Sequence, residues 1–253
     1  RRRHTRLRTV TGVQTCALPI YAERLQVQRL PQSELFVTAC RNCYVMREEN
    51  MRVAVVQTNP VFGATASNVK DALGMIESVE ADLFVFPELF NTGYNILDQE
   101  EIKKLAEEIS GPTFKSVAEI AAKKSCYIIY GYAEKDDRLY NSSALVGPHG
   151  LIGNYRKVHL YYRETLFFAP GNLGFPVFEL PFGTVGMMIC FDWMYPESAR
   201  SLALAGAQLI AHPSNLVMPY CPDAMVTRCL ENKIFSATAN RIGSENRGGL
   251  NLS

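Results

Sequence analysis

The sequence predicts an α/β fold, and three observations carry that prediction. Short apolar, β-branched runs alternate with longer segments whose apolar residues recur at helical spacing. The chain has 253 residues, enough for one domain with a sizeable core. Its 47% hydrophobic and 20% charged content is ordinary for a globular protein, and no run of about 18 apolar residues is long enough to span a membrane.

The elements follow in order. Arg52–Thr58 (RVAVVQT) reads as a buried strand ended by Asn59-Pro60. Ser67–Glu80 places Val69, Leu73, Ile76 and Val79 on one helical face, with Ser67 or Asn68 as N-cap. Leu83–Phe86 (LFVF) is a second strand, stopped by Pro87. Glu100–Ile109 and Thr113–Lys124 read as helices parted by Gly111-Pro112. Tyr127–Tyr132, Asn141–Val146 and Leu151–Tyr155 read as strands, the last two joined by a turn at 147–150. Thr184–Ile189 is a strand that runs straight into Cys190. A helix at Glu197–Leu204 follows, with Pro196 near its first turn, then a strand at Leu209–His212. Ala224–Lys233 reads as a helix and Ile234–Ala239 as a strand. The expected arrangement is a mixed sheet with helices outside it.

The first fifty residues differ from the rest. They carry nine Arg, no Lys and four Glu, a balance of +5, against 17 basic and 21 acidic groups and a balance of −4 over residues 51–253. The stretch Val10–Ile20 (VTGVQTCALPI) resembles translated sequencing-adapter read-through. Residues 1–50 are therefore expected to be a non-native or disordered extension, with the native start at Met51 and the functional domain at 51–253. The net charge of +1 asks for neither nucleic acid nor membrane. The Arg-rich start lacks a sustained apolar stretch and a small-residue cleavage site, so a secretory signal is not expected. The seven cysteines are odd in number and scattered, which reads as reduced thiols in a cytoplasm. Cys40-x-x-Cys43 is half of a zinc-ribbon pattern without its second half, so no metal site is expected there.

Chemistry in α/β folds gathers where strands end, and three such junctions hold unusual residues. Phe86-Pro87-Glu88-Leu89-Phe90 sets a carboxylate directly after an apolar strand, where burial would make it a better base near neutral pH. Its bland reading is a loop Glu paired with a cation. Tyr155-Arg156-Lys157-Val158-His159 sets two cations after another strand; a positioned ammonium there could stabilise a developing anion. A solvated basic turn is the alternative, and His159 between apolar neighbours reads as structural. Ile189-Cys190-Phe191-Asp192-Trp193 sets a thiol between a strand and a helix start, where backbone N–H groups can form an oxyanion hole. A small buried hydrophobe is the alternative there.

Taken together, in this order and at these separations, PELF, YRKVHL and ICFDW resemble the Glu, Lys and Cys signatures of the nitrilase superfamily of carbon–nitrogen hydrolases. The resemblance extends over Met51–Ser253 and includes Asn91-Thr92-Gly93-Tyr94, Tyr140-Asn141-Ser142, Pro170-Gly171, Pro196–Arg200 and His212-Pro213-Ser214-Asn215. It implies Cys190 as nucleophile, Glu88 as base and Lys157 as charge stabiliser, with the N–H of Phe191 as a second oxyanion donor. It adds Glu164, ahead of Phe168-Ala169-Pro170-Gly171, as the residue that holds Lys157, and Tyr94 and Asn215 as pocket residues. The implied fold is a four-layer α-β-β-α sandwich, dimeric or larger, with several C-terminal strands beyond the position of Ser253. A C-terminally truncated and less stable chain is expected on that ground. The implied reaction passes through a cysteine thioester and needs no metal or organic cofactor. Cys-Phe-Asp-Trp is closer to the Cys-aromatic-Asp of amidases and carbamoyl hydrolases than to the Cys-Trp-Glu of many nitrilases. A small amide or N-carbamoyl compound is therefore the expected substrate, with a small nitrile as the alternative. An inactive binding or assembly module on the same fold is the reading from another class; the filled triad argues against it.

Overall fold

Alternation along the strands decides the layering. In the computed structural model, residues 51–248 are described in full; outside them the described backbone is that of strands β1 (Pro19–Ile20), β2 (Thr38–Cys40), β3 (Cys43–Glu48) and β14 (Leu250–Leu252). The expectation of a non-native extension, Cys16 included, falls largely outside the described residues. Strand β4 (Met51–Val56) pairs antiparallel with β3 and parallel with β5 (Leu83–Val85). Beyond β5 lie β6 (Tyr127–Lys135), β7 (Leu139–Gly147) and β8 (Gly150–Arg156), which complete a seven-stranded sheet in the order β2-β3-β4-β5-β6-β7-β8. A second sheet runs β1-β12-β11-β10-β9, with β9 at Val177–Leu180, β10 at Gly183–Met187, β11 at Leu209–Ser214 and β12 at Phe235–Asn240.

Each strand offers one set of side chains to each face. Val53, Val55, Leu83, Val85, Ile129 and Leu145 face the second sheet and pack against Val185, Met187, Leu209, Ala211 and Ala237. On the opposite face Ala54, Val56, Phe84, Ile128 and Val146 meet helices α1 (Thr65–Ile76) and α3 (Pro112–Lys124). Ile210 and Met188 face outward from the second sheet onto α5 (Pro196–Leu204) and α6 (Cys221–Asn232). The result is the four-layer α-β-β-α sandwich, with an apolar seam between the sheets and the loops at the strand ends free to carry chemistry.

Local differences from the sequence reading have local causes. Helix α1 begins at Thr65 behind Ala64, which makes no side-chain cap. Asn68 lies inside the helix, where its amide accepts from Val61 N–H and donates to the Val61 and Asn91 carbonyls, tying the helix to the loop after β5. Helix α2 (Gln99–Leu105) is capped by Asp98 and stops short of Ile109, because Glu107 leaves it to hydrogen-bond with β6. The one-turn helix α4 (Glu164–Phe167), strand β9 and the hairpin β13 (Glu245–Arg247) with β14 are three or four residues each, too short for a periodic signal. Strand β11 extends two residues past His212 through Pro213, at a level where only β12 is still alongside it, so the missing N–H breaks no ladder to β10.

The seam between the sheets yields a stability prediction. Ile129→Ala, in the seam, is expected to lower the unfolding free energy by about 2–5 kcal/mol, seen as a lower guanidinium midpoint at unchanged slope. Val61→Ala, on the exposed surface, is expected to stay within about 0.5 kcal/mol of wild type.

Candidate active site

Strand ends of both sheets bring the chemistry together. After β5 the chain turns through Phe86-Pro87, and the turn is clamped to β6: Gly131 N–H donates to Pro87 O, and Phe90 N–H to Gly131 O. A side chain at Gly131 would approach the Glu88 Cα to 2.5 Å, so only glycine lets this turn sit so low on the sheet. Glu88 is consequently buried, as is Lys157, one residue past β8. The Lys157 main chain is fixed from both sides. Its N–H donates to Asn141 O at 2.8 Å, and its carbonyl accepts from Gly171 N–H at 2.9 Å. At Gly171 a Cβ would lie 1.9 Å from the Arg156 carbonyl oxygen, which explains the Pro170-Gly171 pair.

Lys157 Nζ donates to Glu88 Oε1 at 2.6 Å and to Glu164 Oε1 at 2.8 Å. Asn141 Nδ2 adds a 2.7 Å bond to Glu88 Oε1. Glu164 opens α4; its Oε2 accepts from Tyr161 N–H, and its Oε1 from the Tyr94 hydroxyl. Desolvation is the largest influence on Glu88 and outweighs the Lys157 ammonium, so its carboxyl is pushed up to about 7, with the neighbouring Glu164 charge acting in the same direction. Burial alone would lower the Lys157 pKa; the two carboxylates overcome it and hold the amine protonated. Burial and the carboxylates together keep the Tyr94 phenol protonated.

The thiol reaches this cluster from the second sheet. Cys190 lies three residues past β10 and opens a short 3-10 helix (Cys190–Met194) in a left-handed backbone conformation, φ 40°, unusual for a residue with a side chain. Asp192 and His212 brace the backbone around it. Asp192, fully buried, accepts from Ile189 N–H at 2.8 Å and the Tyr155 hydroxyl at 2.7 Å through Oδ2, and from His159 N–H through Oδ1. His212 Nε2 lies 2.9 Å from the Cys190 carbonyl, an acceptor only, so that nitrogen carries the proton and Nδ1 accepts from Thr238. Burial lowers the His212 pKa to about 4, so the ring is neutral near pH 7. Cys190 Sγ donates to the Asn215 carbonyl at 3.4 Å. Burial pushes the thiol pKa well up; Glu88 adds to that rise and Lys157 opposes it, so all three groups feel one another.

Of the residues singled out in the sequence, Glu88, Lys157, Glu164 and Tyr94 thus form one hydrogen-bonded cluster with Cys190 in its field. Asn215 contacts the thiol through its backbone, and its buried side-chain Oδ1 has no partner, like Glu88 Oε2. The Phe191 ring is half-buried against Tyr161, 5.0 Å between centroids. His159 is structural: Nδ1 lies 2.8 Å from Asp192 Oδ1 and the ring stacks on Tyr195. A cavity of about 60 Å³ beside the cluster is lined by Tyr94, Ile96, Tyr161, Glu164, Phe167 and Val217. A larger groove of about 970 Å³ between α1 and α3 contains none of these groups. Asn141, Gly131, Asp192 and His212 were not assigned roles from sequence; an Asn or His within an apolar strand was the available signal. Among the described residues, no group of three or more His, Cys, Asp or Glu is arranged to hold a metal, and no helix is long and apolar enough to cross a membrane.

Residues 52–251 match the family described as Carbon-nitrogen hydrolase. A protein named Nitrilase from Pyrococcus abyssi is 52% identical over 200 residues, covering 77% of this chain and 76% of its own. An omega-amidase from Homo sapiens is 29% identical over 210 residues, covering 76% and 74%. The crystal structure of an amidase from Nesterenkonia sp. matches with a TM-score of 0.72 at 26% identity, over 82% of this chain and 81% of that one. A mutant of that amidase carries the product of Michael addition of acrylamide at its active-site cysteine.

The raised Glu88 pKa makes a stability prediction. The carboxyl releases its proton near 4.5 in the unfolded chain and near 7 in the folded one. The folded state binds more protons between those values, so this group's contribution is fully present below about pH 4.5 and is lost as pH rises through about 7. The unfolding free energy of wild type minus that of Glu88→Gln is expected to fall across this window in denaturant titrations. A difference that stays flat would contradict the raised pKa.

Proposed function

The chain belongs to the carbon–nitrogen hydrolase family of the nitrilase superfamily, and on that premise we propose that it hydrolyses a small amide or N-carbamoyl compound through a thioester on Cys190. The observation that carries this reading is the buried Glu88–Lys157–Glu164 cluster with a thiol in its field.

Glu88, with a carboxyl that titrates near 7, accepts the thiol proton as Sγ adds to the carbonyl carbon. Proton transfer concerted with attack matters here, because the thiol pKa is raised and little free thiolate exists near pH 7. Negative charge develops on the substrate oxygen, where the Lys157 ammonium and the Phe191 N–H stabilise it. The protonated Glu88 then gives its proton to the leaving nitrogen, and ammonia or an amine departs. Water, deprotonated by the same Glu88, attacks the thioester carbon; the acid leaves and Cys190 regains its proton. Glu164 and Tyr94 keep Lys157 aimed through both steps.

The unpartnered buried acceptors Glu88 Oε2 and Asn215 Oδ1 favour a substrate that brings N–H donors, as a primary amide or a ureido group does and a nitrile does not. The name of the Pyrococcus abyssi relative favours the second reading, a small nitrile converted to acid and ammonia. The test is ammonia release from propionamide, an N-carbamoyl amino acid and propionitrile, with Cys190→Ala as control. Turnover of the amide or carbamoyl compound, accompanied by an acyl adduct on the Cys190 peptide, is expected. Turnover of the nitrile alone would replace this reading with the second, and unchanged activity in Cys190→Ala would remove both.

A further inference from the structure

The loop that carries Tyr94 is held from the far end of the described chain. Glu245, the first residue of β13, is buried, and its carboxylate faces donors only. Oε2 accepts from Asn95 N–H at 2.7 Å and Tyr94 N–H at 3.1 Å. Oε1 lies 3.2 Å from the same Tyr94 nitrogen and pairs with the Arg241 guanidinium, whose other arm reaches Asn59 Oδ1. Arg247, on the same strand, donates to the Asn95 carbonyl at 2.8 Å and pairs with Glu101 at 2.6 Å. The Asn95 amide in turn donates to the Arg247 carbonyl. Two successive N–H groups and one carbonyl of the loop are thereby fixed by a strand about 150 residues away. From that anchored backbone the Tyr94 hydroxyl donates to Glu164 Oε1, the same oxygen that accepts from Lys157 Nζ.

We propose that Glu245 is a positioning residue for the catalytic cluster, acting through the Tyr94 backbone and hydroxyl on Glu164 and hence on the Lys157 ammonium. The proposal rests on the reading of that cluster as the catalytic centre. A carboxylate is required because every group facing it is a donor. The isosteric glutamine would set its own NH₂ against either the guanidinium or a loop N–H. The loop would then shift by a fraction of an ångström, and displacements of that order carry through to rate.

The test is a double-mutant cycle of Glu245→Gln and Tyr94→Phe, run well below the melting temperature of every variant. It has two readouts. One is kcat and KM for propionamide. The other is the pH midpoint of Cys190 alkylation by iodoacetamide, followed on the Cys190 peptide by mass spectrometry, which needs no turnover. Glu245→Gln is expected to lower kcat by about 10- to 100-fold, with a smaller change in KM, and to move the alkylation midpoint in the same direction as Tyr94→Phe does. In the Tyr94→Phe background the same substitution is expected to add little to either. A lowered melting temperature with kcat and midpoint unchanged would overturn the proposal, as would losses that multiply in full in the double variant. If propionamide is not turned over by wild type, the substrate reading fails while the alkylation midpoint still decides the role of Glu245. Should Glu245→Gln not accumulate folded, Arg241→Lys, which keeps the charge but not the paired geometry, is read the same way.

Discussion

A protonated amine with no exposed surface, held between two carboxylates, is the constraint on which the rest of the structure depends. An ammonium removed from water is unfavourable by several kcal/mol unless its donors are matched. Lys157 has Glu88 and Glu164 as acceptors within 2.8 Å. Both carboxylates favour the charged amine against its burial, and the amine in turn restrains the rise that burial imposes on Glu88. The three groups therefore define a unit, and the surrounding sheet serves its geometry. Asn141, on β7, spans the gap by holding Glu88 with its side chain and Lys157 with its carbonyl. Gly131 and Gly171 remove side chains where two backbones must approach each other.

The second sheet meets that unit with a different kind of constraint. The left-handed backbone at Cys190 is unfavourable for a residue with a Cβ. It persists because a buried carboxylate, Asp192, gathers donors from Ile189, Tyr155 and His159, and a neutral buried imidazole, His212, grips the Cys190 carbonyl. Tyr155 also packs in the apolar seam between the sheets. The position of the proposed nucleophile relative to the proposed base is thus set by sheet-to-sheet packing as much as by hydrogen bonds.

The legible part of this architecture was the part written in local pattern. Runs such as Leu83–Phe86 and Thr184–Ile189 announced strands by composition, and Glu88, Lys157 and Cys190 stood out because polar residues closed apolar runs. Resemblance then supplied Glu164 and Tyr94, whose contacts link positions 70 residues apart. What stayed hidden was non-local. Asn68 looked like a helix cap because its residue type favours caps; its partners, Val61 and Asn91, are chosen by the folded loop. The segment around Glu245 is polar and Gly-rich, and nothing in its own sequence reveals that its carboxylate meets the backbone at Tyr94 and Asn95. Strand β9 escaped because four residues cannot establish a period.

Burial raises Glu88 while Lys157 restrains the rise. This balance is tested most directly by following the Glu88 side-chain carboxyl carbon through a pH titration with isotope-edited NMR, in wild type and in Lys157→Met. A transition near 7 is expected in the wild type, and a higher one once the ammonium is gone. A wild-type transition near 4.5, or one that does not move when Lys157 is replaced, would contradict it.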